Sequence, residues 1–206
     1  MSREAILTRI RVALGRREGQ PPPALPEIYL RPTRPNLSTF FACIERLNGK
    51  TLKAGSPAEA RDYVAALVHG KRAVASNSTV LRDCGITDLA GVTCAGEDKS
   101  TLRALCAESD IGISSADYGL ADTGTLVMLS SQQEPRMISL LPPLHIAIVP
   151  ENRIVGNLDE LLTQLPLPAE QTSSMVLITG PSRTGDIEQI LVRGVHGPGE
   201  LHVVVI

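Results

Sequence analysis

From residue 36 onward, short aliphatic runs alternate with stretches whose apolar positions recur at three- and four-residue spacing. The first pattern is that of buried strands, the second that of helices laid with one face on a sheet. Residues 37–47 read as a helix closed by Asn48-Gly49, and 51–54 as a short strand. Ser56-Pro57-Ala58-Glu59 is a helix start, with Ser as N-cap, Pro at the first helical position and Glu three residues after the cap; that helix should run to about His69. Strands are predicted at 72–75, Val92–Cys94, Ile111–Ser115, Thr125–Leu129, Leu144–Val149, Met175–Ile178 and 201–206. Helices are predicted at 79–84, 99–109, 157–165 and 185–193, with a helical turn at 137–141. This alternation predicts an α/β domain with a mostly parallel sheet covered on both faces. The runs 111–115 and 125–129 are joined too closely for a helical crossover, so they are expected to pair antiparallel.

Ahead of this pattern, residues 2–17 predict an amphipathic helix. Ile6, Ile10 and Leu14 fall on one face with Leu7 beside them, and Arg3, Arg9, Arg11 and Arg16 occupy the others. Such a helix docks on its own protein or on a partner more often than on a membrane surface. Prolines at 21, 22, 23, 26, 32 and 35 rule out a helix or central strand over 20–35, which leaves an extended arm or linker. Residues 1–35 therefore read as an appendage and 36–206 as the α/β domain.

Composition narrows the function classes. A chain of 206 residues suits one α/β domain, burying roughly 70% of the surface its unfolded form exposes. The net charge of −2 supplies no basic field for nucleic acid, and with no Trp, three Tyr and two Phe there are few rings on which single strands could stack. No uncharged apolar run approaches membrane-spanning length, and Met1 opens onto a charged stretch, so a cytoplasmic chain without membrane insertion is expected. Cys43, Cys84, Cys94 and Cys106 form no CxxC pair and have no His at ligand spacing. Reduced, mostly buried thiols are expected, with no metal and no iron–sulfur cluster on this chain.

Two segments carry candidate chemistry. Met175–Ile178 runs into Gly-Pro-Ser-Arg-Thr at 180–184, ahead of the helix predicted at 185–193. This is neither a Walker loop nor GxGxxG. The Ser182 and Thr184 hydroxyls, the Arg183 fork and helix-start N–H groups would make an anion cradle. The plainer alternative is a capped helix with Arg183 paired to a neighbouring acid such as Asp186 or Glu188. The second segment runs from Ala116 to Gly124, where Asp117 and Asp122 flank a glycine-bearing loop. A carboxylate there can act as base or nucleophile, or simply bond its own hairpin. His145, in an aliphatic strand, reads as a core histidine with one backbone hydrogen bond, whereas His196 sits in an exposed Gly-Pro-Gly turn.

Three blocks, GLADTGTLVMLS, RMISLLPPLHIAIVP and VLITGPSRTGDIEQILVRGVHGPGELHVVV, occur in that order and cover most of 118–206. Together they resemble the LUD-domain family, in its lactate utilization protein C (YkgG-type) branch. The resemblance implies a three-layer α/β/α Rossmann-like fold of the NagB/RpiA/CoA-transferase-like kind. It implies a subunit, itself without a cluster, of a bacterial system oxidising L-lactate to pyruvate, with iron–sulfur clusters on the partner subunits. The N-terminal helix and arm would then dock it on those partners or on a second copy. It also gathers Asp122, Thr123 and Gly124 with Ser182, Arg183, Thr184 and His196 into one facing constellation at strand ends. Asp122 and His196 become candidate catalytic residues and the others candidate ligand contacts; Asp122 stands where family members often carry Glu. The alternative reading of the same constellation is an enzyme or sensor that recognises a carboxylate, phosphosugar or acyl-CoA at the Arg183 turn.

Overall fold

The computed structural model describes residues 2–15, 36–96, 99–184 and 192–206. Along the chain run α1 (Arg3–Ala13), α2 (Leu37–Arg46), β1 (Lys50–Lys53), α3 (Pro57–Val68), β2 (Ala73–Ala75), α4 (Thr79–Asp83), β3 (Val92–Cys94), α5 (Lys99–Glu108) and β4 (Ile111–Ser115). They are followed by β5 (Tyr118–Leu120), β6 (Thr125–Leu129), β7 (Leu144–Val149), β8 (Ile154–Val155), α6 (Leu158–Gln164), α7 (Pro168–Gln171), β9 (Met175–Ile178), β10 (Arg183–Thr184), β11 (Val192–Arg193) and β12 (Glu200–Val205). The helix starts follow the capping chemistry of the sequence. Ser56 accepts the Glu59 N–H at 3.2 Å while the Glu59 carboxylate reaches back to the Gly55 N–H at 2.7 Å. Asn157 and Glu160 repeat the device at α6, with Glu160 bonding the Gly156 N–H at 2.7 Å.

Six strands form one all-parallel sheet in the order β1-β12-β7-β4-β2-β3. Side-chain alternation along β7 shows how it is covered. Leu144, Ile146 and Ile148 pack toward α3 and α4 with Val64, Val68 and Leu81, while Ala147 and Val149 face the opposite side with Phe40 and Ile44 of α2. Val74 of β2 also faces that second side, against Leu102 and Cys106 of α5. Helices therefore cover both faces, as the alternating pattern required. The second face carries something more: a four-stranded sheet ordered β8-β5-β6-β9, packed through Leu126 and Met128.

This smaller sheet corrects one expectation. Ile111–Ser115 and Thr125–Leu129 are not partners, because β4 lies between β2 and β7 in the large sheet while β6 pairs with β5 and β9 in the small one. The chain leaves the large sheet at Ala116, and the three-residue β5 is the strand that turns back on β6. A second correction concerns the stretch after β9. Arg183 and Thr184 form a strand paired antiparallel with Val192 and Arg193, so the last residues of the helix predicted at 185–193 are strand. Residues 185–191 and the proline-rich arm at 20–35 lie outside the described residues. α1 has Ile6, Ile10 and Leu14 exposed and buries no residue.

Candidate functional site

Connections out of the large sheet diverge at one place. From β2 the chain crosses through α4 to β3 on one side, and from β4 it proceeds to β7 on the other. α4 packs on the α3 face and α5 on the α2 face, so a crevice opens beyond the carboxyl ends of β2 and β4. Open α/β sheets bind their ligands at such a switch point. The crevice is a cavity of about 380 Å³, walled by Asn77 and Ser78 after β2, Ser115 and Asp117 at the end of β4, and Pro150 after β7.

Glu134 also lines the crevice. The loop after β6 carries it there, tied by the Asn77 N–H to the Gln133 carbonyl at 2.9 Å and by the Glu134 N–H to Ser131 Oγ at 3.0 Å. Three donors converge on Glu134 Oε1: Ser76 Oγ at 2.7 Å, the Ser115 N–H at 2.8 Å and Ser115 Oγ at 2.5 Å. Oε2 accepts none of these bonds. Burial pushes the Glu134 carboxyl above its usual range, against the pull of its three donors, and the negative charge of Asp117 adds to the rise. Asp117 is raised too, first by burial, with the Leu129 N–H at 2.6 Å and the nearby Arg153 acting the other way. Arg153 lies over the Tyr118 ring, 5.4 Å from its centroid, and with Arg82 of α4 lines the cavity. Two carboxyls raised by burial inside one crevice, one of them raised further by the other's charge, are an arrangement suited to moving or sharing a proton.

Of the residues singled out in the sequence, Asp117 lines this crevice, where it also bonds its own hairpin through the Leu129 N–H; the others lie elsewhere, around the C-terminal end of α2. Gly124, at φ +67°, sits so close to that helix that a Cβ would stand 2.8 Å from Cys43 Cβ and from the Ile44 nitrogen. Cys43 Sγ donates to the Asp122 carbonyl at 3.4 Å. One helical turn further on, Gly180 packs against Leu47, and the Arg183 guanidinium donates to the Leu47 carbonyl. The loops 122–124 and 180–183 are thus brought to one helix end, and hydroxyls link them: Thr123 to Thr125 at 2.8 Å and Thr125 to Thr179 at 2.9 Å. His196 joins through its N–H, which donates to Ser182 Oγ at 3.3 Å, while Ser182 N–H bonds the Pro198 carbonyl at 2.8 Å. Ser182 therefore holds the His196 turn, and Thr184 contributes its backbone to the β10–β11 pair. Asp122, Thr123, Arg183 and His196 are exposed. Asp117 and Asp122 bracket β5, about 10 Å of strand, so the loop cluster and the crevice lie at opposite ends of one short hairpin.

His145 is fully buried as expected, but its hydrogen bond is to a side chain and not to the backbone: Nε2 lies 2.7 Å from Ser114 Oγ on the neighbouring strand, and Nδ1 has no partner. Cys43, Cys84, Cys94 and Cys106 are free, the second and fourth buried, and among the described residues no three His, Cys, Asp or Glu side chains are grouped as a metal would require. Among the described residues no helix is long and apolar enough to cross a membrane.

A family model described as the LUD domain matches residues 37–206. The chain belongs to the LUD-domain family. The LUD chain is 45% identical over 95 residues to lactate utilization protein C of Halalkalibacterium halodurans, a stretch that is 44% of this chain and 41% of that protein. Proteins of the same name from Shouchella clausii and Oceanobacillus iheyensis are 40% identical over 93 residues (44% of this chain, 41% of the relative) and 35% identical over 108 residues (50% and 46%). The matched stretch spans less than half the length of each of these relatives. A crystal structure of a DUF162 family protein from Deinococcus radiodurans superposes with a TM-score of 0.63 at 20% identity, over 82% of this chain and 94% of that one, and shares its fold.

Sequence reasoning passed over Glu134. The spacing Ser131-Gln-Gln-Glu134 is that of a capping box, and it marked a tied loop, but nothing local announced that the carboxylate would meet Ser76 and Ser115 from two separate strands.

Proposed function

We propose that this LUD chain is a component of a bacterial lactate utilization system that oxidises L-lactate to pyruvate. In that system it is a cytoplasmic subunit without a redox cluster of its own, and partner subunits carry the iron–sulfur clusters. The observation that carries the reading is its identity with lactate utilization proteins C inside a LUD-domain match that extends to residue 206. Its four thiols lie on α2, at the C-cap of α4, on β3 and on α5, and in this reading electron transfer takes place on the partners. In this reading the crevice at the β2/β4 switch point is where the subunit holds a small molecule, with Glu134 and Asp117 as its proton-bearing groups, and α1 with the arm at 20–35 is the docking device. Affinity capture of the full chain from lactate-grown cells tests it: iron–sulfur subunits should co-purify, and capture of the chain alone would overturn the subunit role.

A second reading places ligand recognition at the loop cluster, with Arg183, Ser182, Thr184, Thr123 and Gly124 as contacts and Asp122 and His196 as reacting groups. The meeting of both loops on the end of α2 favours it. Calorimetric titration with pyruvate and acyl-CoA compares wild type with Arg183→Ala. Identical behaviour removes that site.

A further inference from the structure

The two larger sheets end on four edge strands, β1 and β3 of one and β8 and β9 of the other. An open edge is a template for another strand, and proteins blunt it by keeping it short or by charging it. Three of the four edges are blunted. β1 carries Lys50 and Lys53, both exposed and ion-paired with Glu200 and Glu151. β3 has three residues and β8 two. β9 has neither protection: it reads Met-Val-Leu-Ile, and no charged residue stands between Glu170 and Arg183.

The pairing of β9 defines its open side. Among the described residues β9 bonds β6 alone, and next to that pair the Ser130 N–H donates to the Ser174 carbonyl at 2.9 Å. Backbone groups alternate in direction along a strand, so Ser174, Val176 and Ile178 bond inward to β6. The N–H and C=O groups of Met175, Leu177 and Thr179 point away from it. Side chains alternate too. Val176 and Ile178 pack toward the large sheet, whereas Leu177 stands on the outer face, outside the cluster around Leu161 of α6, and is 43% exposed.

A second copy of this chain fits that edge. In an antiparallel pair centred on Leu177, Met175 of each copy stands opposite Thr179 of the other. The two Leu177 residues meet at the two-fold axis, exchange both backbone bonds and cover each other's side chains. Charge favours the same arrangement. Glu170 and Arg183, both exposed, bound the uncharged stretch at opposite ends, and Arg183 keeps its charge while bonding the Leu47 carbonyl. Antiparallel pairing brings acid toward base; parallel pairing would bring like toward like.

We propose that β9 is a self-association edge through which two copies of this chain join antiparallel, merging their four-stranded sheets into one continuous sheet. A strand pair this short makes a reversible dimer that forms as concentration rises. The inference goes beyond the lactate reading and does not involve α1 or the arm.

Sedimentation velocity of the purified full chain over a dilution series, with hydrogen exchange read at the Leu177 amide, tests it. Wild type should pass from monomer to dimer with rising concentration, and the Leu177 N–H should gain protection in step. Leu177→Pro removes an N–H that β6 does not use, and Leu177→Lys sets two like charges across the axis. Each variant, once shown to melt cooperatively, should raise the dimer dissociation constant at least about tenfold. Ile10→Asp, on the exposed face of α1, should leave it unchanged. A chain that is monomeric at every concentration overturns the proposal; a protected Leu177 N–H would then show that the chain covers its own edge, and a freely exchanging one that the edge is open. A dimer that persists in both Leu177 variants, or one that Ile10→Asp abolishes, also overturns it. The readouts need neither lactate nor the iron–sulfur subunits, so this inference and the proposed function fail separately.

Discussion

Ser115, the last residue of β4, gives both its N–H and its hydroxyl to Glu134 Oε1, at 2.8 and 2.5 Å. A strand end of the large sheet and a loop of the smaller sheet are locked together by one carboxylate. Glu134→Ala would leave these two donors and Ser76 Oγ without their acceptor, at a cost of about 2–4 kcal/mol. Urea unfolding should show a lowered midpoint with an unchanged slope, and Glu134→Gln, which keeps an acceptor oxygen, should lose less.

The same residue fixes a pH dependence. Its folded carboxyl holds a proton more tightly than the unfolded one, whose usual value is 4.5. The folded state therefore binds more protons in the window above 4.5, and the stability this contributes is lost as pH rises through the folded value. Urea midpoints of wild type and Glu134→Gln measured from pH 4 to pH 8 should diverge, with wild type losing ground relative to the variant as pH increases.

His145 acts in the opposite sense. Burial pushes its imidazole down from 6.5 to about 3, so the unfolded chain takes up a proton that the folded chain refuses. Stability should fall as pH drops from 6.5 toward 3. The His145 ring resonances should show the neutral form in the folded protein at pH 5, and the double variant His145→Leu, Ser114→Ala, which removes both hydrogen-bonding partners together, should unfold at a lower pH than wild type.

Gly124 tests the seating of the hairpin tip. Its φ of +67° and the 2.8 Å approach of a Cβ to Cys43 and Ile44 leave no room for a side chain. Gly124→Ala should cost about 2–3 kcal/mol, seen as a lowered thermal midpoint, with faster hydrogen exchange at the C-terminal end of α2.

Much of this architecture could be read from the chain, and the reasons differ by element. Ser56-Pro57-x-Glu59 announced α3 because capping is local chemistry, and β7 and β12 announced themselves as aliphatic runs, each interrupted by one histidine, because both their faces are buried. Pairing is not local. Thr125–Leu129 is as apolar as Ile111–Ser115, and only the exit of the chain at Ala116 assigns the two runs to different sheets. Arg183 and Thr184 carry turn chemistry, yet their partners Val192 and Arg193 make them strand. The loops around Asp122 and Arg183 were marked by family blocks and do meet, on α2. Of the crevice only Asp117 was marked, since Ser76, Ser115 and Glu134 are ordinary residues at spacings that only the sheet order brings together.

The central claim is that this LUD chain serves lactate utilization, and growth of a deletion strain on L-lactate as sole carbon source tests it most directly. The strain should fail on L-lactate while growing normally on glucose, and a plasmid-borne copy of the chain should restore growth. Undiminished growth of the deletion strain on L-lactate would contradict the account.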